Sequence, residues 1–117
     1  MRAFAAAVLG ALGGLSVAQA GLDRALYAID SDCRERAEAQ VLASWPAIGG
    51  GAQARGLVVG ADQRAAYEQA LRRRCIVSER IALVEGLRDE LGEAEWAAFG
   101  GDALLRDLRD ELALLTD

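Results

Sequence analysis

Histidine and lysine are absent from this chain, which has only two cysteines and one proline among its 117 residues. Histidine is the commonest general base and a frequent metal ligand. Its absence therefore removes Ser-His and Cys-His nucleophile pairs and most zinc shells. No glycine-rich segment is followed by the Lys-Ser/Thr pair of a phosphate-binding loop. We expect a protein that is not an enzyme and that uses no cofactor and no metal.

Acidic residues are the remaining source of chemistry. Asp30 and Asp32 have the spacing that opens a calcium loop, but Arg34 stands where a further ligand is needed. A denser group flanks the end of a predicted helix and consists of Asp89, Glu90, Glu93 and Glu95. Paired carboxylates can perform glycosidase-type acid–base work, although a solvated helix end explains this group more simply. A carboxylate-only hydrolase is the less favoured alternative.

The first twenty residues have the layout of a secretory signal peptide. Arg2 precedes an uncharged apolar stretch that ends in Ala18-Gln19-Ala20. The most apolar part, Ala3–Leu15, is shorter than the roughly 20 apolar residues of a membrane anchor. We expect cleavage after Ala20, which leaves residues 21–117 as one small helical domain that is periplasmic or secreted and holds no membrane anchor.

Export to an oxidising compartment would affect the state of the two cysteines, and the net charge limits the possible partners. An even cysteine count in an oxidising compartment predicts a disulfide between Cys33 and Cys75, which would close a loop of about 43 residues. A metal pair and two free thiols are the alternatives. The formal net charge is −5, which disfavours binding to nucleic acid or to an anionic membrane.

The composition predicts an all-α fold, because Ala, Leu, Arg and Glu dominate and no segment alternates like a strand. A first helix is expected from about Leu22 to Ala43. Trp45-Pro46 is expected to end it, and Pro46–Gly60 forms a glycine-rich connection. The apolar face of this helix has residues three or four apart: Leu22, Leu26, Ile29, Cys33, Ala37 and Val41.

A second helix is expected to begin near Asp62, a favourable N-cap residue, and either to continue to Leu91 or to kink near Ser78. Its inward positions include Tyr67, Leu71, Cys75 and Ala82. A short helix over Glu93–Phe99 follows, and Asp102 is expected to cap a last helix. The last helix has one leucine stripe, formed by Leu104, Leu105, Leu108, Leu112 and Leu115.

The cysteine positions predict how the first two helices pair. At 1.5 Å per residue, Cys33 and Cys75 each lie roughly 18–20 Å from the connection, so they would face each other in an antiparallel hairpin. The same register pairs inward positions along the helices: Leu22 with Gly86, Leu26 with Ala82, Ala37 with Leu71, and Val41 with Tyr67. The predicted fold is a disulfide-stapled antiparallel helical hairpin with one short and one longer C-terminal helix packed on it.

Three groups of residues are candidates for binding a partner. The apolar cluster in the connection is either a plug over the helix ends or a mobile binding loop. The arginine run is either a solvated face or a docking patch for an acidic protein. The aromatic pair either covers the hairpin or anchors an interface. The candidate residues are Leu57, Val58, Val59, Arg72, Arg73, Trp96 and Phe99.

In outline, a small exported all-α protein with one disulfide resembles the acid-stress chaperones of the enteric periplasm and periplasmic inhibitor and immunity proteins. The likeness is one of architecture, which does not carry function by itself. We expect a non-enzymatic protein that binds another protein, in the manner of an inhibitor or immunity protein. A periplasmic chaperone or holdase is the alternative, and the molecule is expected to be a monomer or a homodimer.

Overall fold

A computed structural model describes the backbone of residues 11–116 and the side chains of residues 21–115. Residues 1–10 of the predicted signal peptide therefore lie outside the described residues, and so do the side chains of residues 11–20. The described chain consists of helices and contains no strand, which confirms the all-α prediction. Its helices are α1 (Ala11–Ala54), α2 (Ala61–Glu90), α3 (Glu93–Phe99) and α4 (Gly101–Thr116).

Helix α1 continues well beyond its expected end. The prediction that Trp45-Pro46 stops it near Ala43 is wrong, since the helix runs through Pro46 to Ala54. A proline inside a helix removes one backbone hydrogen bond and costs about 3 kcal/mol. At this level α1 contacts α2: the ring centroids of Trp45 and Tyr67 are 6.1 Å apart. The Oγ of Ser44 lies 3.2 Å from the Tyr67 hydroxyl.

The connection between α1 and α2 is consequently short, covering residues 55–60 rather than the predicted Pro46–Gly60. Gly56 adopts a left-handed conformation with φ 75°. The Leu57 N–H donates to the Ala52 carbonyl at 2.8 Å, and the Gly56 N–H donates to the Gln53 carbonyl at 3.0 Å. These two bonds form a Schellman motif, in which a glycine at this position ends the helix without strain.

Helix α2 begins one residue before the predicted Asp62. Gly60 is the N-cap residue, and its N–H donates to Gln63 Oε1 at 2.9 Å, as in the returning half of a capping box. Asp62 instead lies in the first turn, where its charge complements the helix dipole. The helix passes Ser78 without interruption and ends at Glu90, so the continuous alternative is the one that the structure adopts.

The disulfide between Cys33 and Cys75 joins α1 to α2 with a Cα–Cα distance of 5.6 Å, which confirms the stapled hairpin. Exposed ion pairs cross between the helices in the same register, with Arg36 Nη2 3.5 Å from Glu79 Oε2. Such pairs contribute little individually. On α1, the predicted inward residues Cys33, Ala37 and Val41 are buried.

One predicted pairing needs correction. Ala82 of α2 is exposed, so it does not face Leu26 as expected. Leu26 instead shares an apolar cavity with Leu83, the next residue along α2. The hydrophobic periodicity allowed either position, because consecutive helical residues differ by only 100° around the axis, and the crossing of α1 over α2 decides between them.

Helix α4 packs on α2 and completes the core. The buried cluster consists of Val77, Val84, Leu105 and Leu108, with Ile81, Trp96, Phe99, Leu112 and Leu115 packed against it. The prediction that the leucine stripe packs on the hairpin is confirmed. Leu104 lies at the edge of the stripe, at the border of the contact between α4 and α2, and is exposed.

We predict that the disulfide contributes about 4 kcal/mol to the free energy of unfolding through the entropy of the unfolded chain. Replacing both Cys33 and Cys75 with serine should therefore lower the melting temperature clearly, and reduction of the wild-type protein should do the same. Calorimetry with and without reductant measures the effect. Two titratable thiols in unreduced, denatured protein would show that the bond does not form.

Leu108→Asp should unfold the protein or lower its melting temperature strongly at any concentration, because Leu108 is only 8 % exposed within the α2–α4 cluster. Leu114→Asp is the matched control, since Leu114 lies on the same helix and is 78 % exposed. Circular dichroism and sedimentation measure both variants. A folded Leu108→Asp monomer derived from a wild-type dimer would mean that the stripe is instead a dimer seam.

Candidate binding surfaces

The residues predicted to bind a partner do not form one site. Leu57, Val58 and Val59 lie in the connection at one end of the hairpin, whereas Trp96 and Phe99 follow α2 at its other end. Helix α2 has 30 residues, so these groups are separated by about 45 Å along its axis. Arg72 and Arg73 lie between them on α2. The structure therefore offers separate surfaces, which need separate arguments.

The connection presents two aliphatic side chains to solvent. We call residues 55–60 the hairpin tip. Val58 is 91 % exposed and Leu57 is 59 % exposed. Val59 points the other way: it is half-buried, and its Cγ2 lies 3.9 Å from the place where a Cβ on Gly49 would stand. Val59 thus anchors the tip onto α1, and its two neighbours point away from the molecule.

The hairpin tip is held at both ends by hydrogen bonds. The Schellman bond from Leu57 to Ala52 fixes its start, and the bond from Gly60 to the Gln63 side chain fixes its end. A segment that is already ordered loses little conformational entropy when a partner binds. The tip is therefore preorganised to present Leu57 and Val58.

Below the tip, the molecule narrows to two helices. Helix α4 runs back along α2, and near its end the Arg73 Nη2 donates to Glu111 Oε2 at 3.3 Å. The first 12 residues of α2, roughly 18 Å, precede this contact, whereas α4 continues for only five residues past Glu111, roughly 7.5 Å. We call this two-helix part of the molecule the stem. It contains the contact between the rings of Trp45 and Tyr67. The longest extent of the molecule, 65 Å, matches the length of the 44-residue helix α1, about 66 Å, and the tip lies at the C-terminal end of that helix.

The arginine run serves partly to join helices. Arg73 is committed to Glu111 on α4, and Arg72 is half-buried. Because successive helical residues point in different directions, the run does not present one continuous cationic patch. A docking role for Arg72 and Arg73 stays a prediction.

Trp96 and Phe99 form a corner between α3 and α4. Their ring centroids are 6.1 Å apart, and both side chains are half-buried against the core cluster. Trp96 Nε1 donates to Asp102 Oδ1 at 2.9 Å. The expectation that Asp102 caps α4 is wrong, since this carboxylate binds the indole and α4 begins one residue earlier, at Gly101.

Two glycines make the corner sterically feasible. Gly100 ends α3 with φ 74°, in the left-handed region. Gly101 is buried directly beneath the Trp96 ring, and a Cβ added there would overlap the indole. The contact fixes Trp96 between its hydrogen bond to Asp102 and the backbone of α4. This packing accounts for the half-burial of the ring, while a partner-binding role for Trp96 and Phe99 stays a prediction.

A cavity of about 250 Å³ lies where α1, α2, α3 and α4 meet. Its lining is apolar except for one arginine, and consists of Leu22, Leu26, Arg80, Leu83, Val84, Leu87, Phe99, Leu104 and Leu108. Sequence patterns place these leucines on inward faces. They do not reveal that four helices fail to close completely around one another, which depends on the crossing of the helices.

Two of the acidic residues considered for metal binding or catalysis have structural contacts. Asp30 lies in α1 and pairs with Arg80 of α2, with Oδ1 3.8 Å from Nη2. Glu95 Oε1 accepts a hydrogen bond from the Gly92 N–H at 3.0 Å and so stabilises the start of α3. No cluster of three or more metal-ligating side chains is found among the described residues. Within the same range, no helix has the length and apolar character needed to cross a membrane.

Comparison with known proteins gives no further guide, since no protein-family model, curated protein or solved structure matches this chain. The functional argument therefore depends on the physical properties of its own surfaces.

Gly101→Ala should destabilise the protein by about 1–3 kcal/mol, because the new methyl group displaces the Trp96 ring from its hydrogen bond with Asp102. The matched control is Gly86→Ala in α2, where a Cβ meets nothing within 4 Å and where helix propensity predicts a gain of about 0.5–1 kcal/mol. Thermal unfolding and tryptophan fluorescence in a Trp45→Phe background measure both changes. Equal effects of the two substitutions would contradict the packing described for this corner.

Proposed function

We propose that this chain is exported, loses residues 1–20, and acts as a non-enzymatic protein that binds another protein through the hairpin tip. In its mode of action it would be similar to an inhibitor or immunity protein. The observation that carries the proposal is the exposure of Val58, at 91 %, in a segment whose backbone is fixed on both sides.

The tip combines three properties of an interface anchor. Two aliphatic side chains are already exposed, so their burial by a partner would be favourable at about 25 cal/mol per Å². The hydrogen bonds at Leu57 and Gly60 limit the entropy lost on binding. The two-helix stem carries the tip clear of α4, so a concave partner surface can enclose it. The expected partner is a protein with an apolar pocket that accepts Leu57 and Val58.

The covalent chemistry agrees with an exported protein of this kind. Disulfides persist in the periplasm and outside the cell and are rare in the cytosol. The Cys33–Cys75 bond holds the helices in one register, which keeps the tip at a fixed position relative to the rest of the molecule. A binding protein that must keep its shape outside the cell gains from such a constraint.

A holdase would use exposed apolar residues differently. Exposed large apolar side chains elsewhere, such as Tyr27, Leu42 and Leu114, would also contact unfolded clients. Binding would then depend only weakly on any single position. The tip-binding protein and the holdase therefore differ in the number of partners and in their sensitivity to substitutions at the tip.

The test is affinity capture from the periplasm and the culture medium of the source cells, with the double substitution Leu57→Asp and Val58→Asp. We expect one stoichiometric partner for the wild type. Loss of two central apolar contacts, each worth about 2 kcal/mol or more, should weaken its binding at least about 700-fold. Melting temperature should stay the same, because both side chains are exposed.

Leu114→Asp is the matched control, since it places the same charge at an exposed leucine on α4 and should leave partner binding intact. Many substoichiometric partners, retained by the tip variant, would support the holdase. A single partner that binds the tip variant with wild-type affinity would contradict the tip as the interface.

A further inference from the structure

Charge is distributed unevenly along the molecule. Residues 39–74, which form the end of α1, the hairpin tip and the start of α2, contain five arginines and two acidic residues. The other residues with described side chains, 21–38 and 75–115, contain seven arginines and fifteen acidic residues, and we call these two segments the acidic body. The net charge of −5 is therefore the sum of a cationic region around the tip and a strongly acidic remainder.

Two of the arginines flank the exposed aliphatic pair of the tip. Arg55 is the first residue of the tip, and Arg64 lies in the first turn of α2, where its N–H donates to the Gly60 carbonyl at 3.1 Å. Both side chains are exposed, and neither forms an ion pair within the described part of the chain. Elsewhere in that part, ion pairs engage a different set of arginines: Arg36, Arg73, Arg80, Arg106 and Arg109.

We propose that the partner of the hairpin tip is an acidic protein, in which carboxylates at the rim of an apolar pocket face Arg55 and Arg64 while Leu57 and Val58 enter the pocket. The inference rests on the proposed function and specifies the chemistry of the partner. A guanidinium suits this role because its planar array of donors matches the two oxygens of a carboxylate. Since neither arginine is engaged within the molecule, a partner does not have to break an existing ion pair to reach them.

The uneven charge also orients the approach of such a partner. Arg64 and Arg73 are nine residues apart on α2, or about 13 Å, and Arg73 is the point at which α2 pairs with Glu111 of α4. This separation exceeds the Debye length at physiological ionic strength, about 8 Å. The tip and the α4 part of the acidic body therefore act as separate charges, so an acidic protein is attracted by the tip and repelled by the body.

An anionic bilayer is the other surface that attracts arginines beside exposed aliphatic side chains. Membrane recognition of this kind uses clusters of about four to eight basic residues. The tip offers only Arg55 and Arg64, and Asp62, in the first turn of α2, lies between them in sequence. Two apolar side chains with two cations beside them fit a pocket of protein dimensions better than an extended charged surface.

The experiment measures the association rate between the full chain and the purified protein that affinity capture returns, by stopped-flow mixing at about 0.01 M and about 0.15 M salt, where the Debye lengths are about 30 Å and 8 Å. We expect association of the wild type to be at least about tenfold faster at the lower salt concentration, because opposite charges steer the encounter. The dissociation rate should change much less.

The double substitution Arg55→Glu and Arg64→Glu should slow association at low salt at least about tenfold and reverse the salt dependence, since like charges then meet. Arg34→Glu with Arg106→Glu is the matched control. It changes the net charge equally at two exposed positions of the acidic body and should keep the wild-type direction of the salt dependence. If a carboxylate at the end of α1 lowers the melting temperature, Arg55→Gln with Arg64→Gln replaces the first variant and should remove most of the salt dependence.

The outcomes separate this inference from the proposed function. A partner that requires Leu57 and Val58, but associates equally fast with the charge-reversed tip or independently of salt, overturns the acidic partner and leaves the tip as the interface. Capture of no protein that depends on Leu57 and Val58 overturns both proposals. Sedimentation with vesicles of phosphatidylglycerol and phosphatidylcholine tests the bilayer: binding that Leu57→Asp and Val58→Asp abolish, in the absence of a tip-dependent protein, would assign the tip to a membrane and overturn the inference.

Discussion

The covalent bond between Cys33 and Cys75 is the constraint on which the rest of the structure depends. The described chain has seven buried apolar side chains, and three of them lie on α1 at or near the staple. Such a small interior cannot fix the sliding of two long helices by packing alone. The bond sets their register, and α2 can then offer its opposite face to α4. Helix α2 therefore contributes side chains both to the contact with α1 and to the contact with α4.

This arrangement gives the molecule two unlike ends. At one end, α1 and α2 continue past α4 as a bare pair and close in a turn with two exposed aliphatic residues. At the other end, α3 turns the chain back so that four helices converge around a cavity with one arginine. The two ends therefore differ in curvature, one being a projecting turn and the other a half-open apolar cavity.

Whether a sequence prediction was correct depended on whether the structure follows from neighbouring residues or from contacts with other parts of the chain. Glu93–Phe99 and the leucine stripe were predictable because glycines bound these helices and apolar residues recur every three or four positions. The predicted helix end at Trp45-Pro46 was wrong, since α1 continues through Pro46, at the level where Trp45 contacts Tyr67, 22 residues further along the chain. Asp102 was expected to cap α4, but its carboxylate accepts a hydrogen bond from the indole of Trp96, six residues earlier, and α4 begins at Gly101.

The sequence by itself determined the helical class, the pairing of its two cysteines and the inward faces of its helices, since these follow from composition, parity and periodicity. Only the tertiary structure decided that Leu57 and Val58 point outward while Val59 points inward. That choice follows from the left-handed turn at Gly56 and the close approach of Val59 to Gly49. Only the tertiary structure placed Arg80 at an apolar cavity, because a cavity arises from how helices cross, and no periodicity along one chain encodes the space between them.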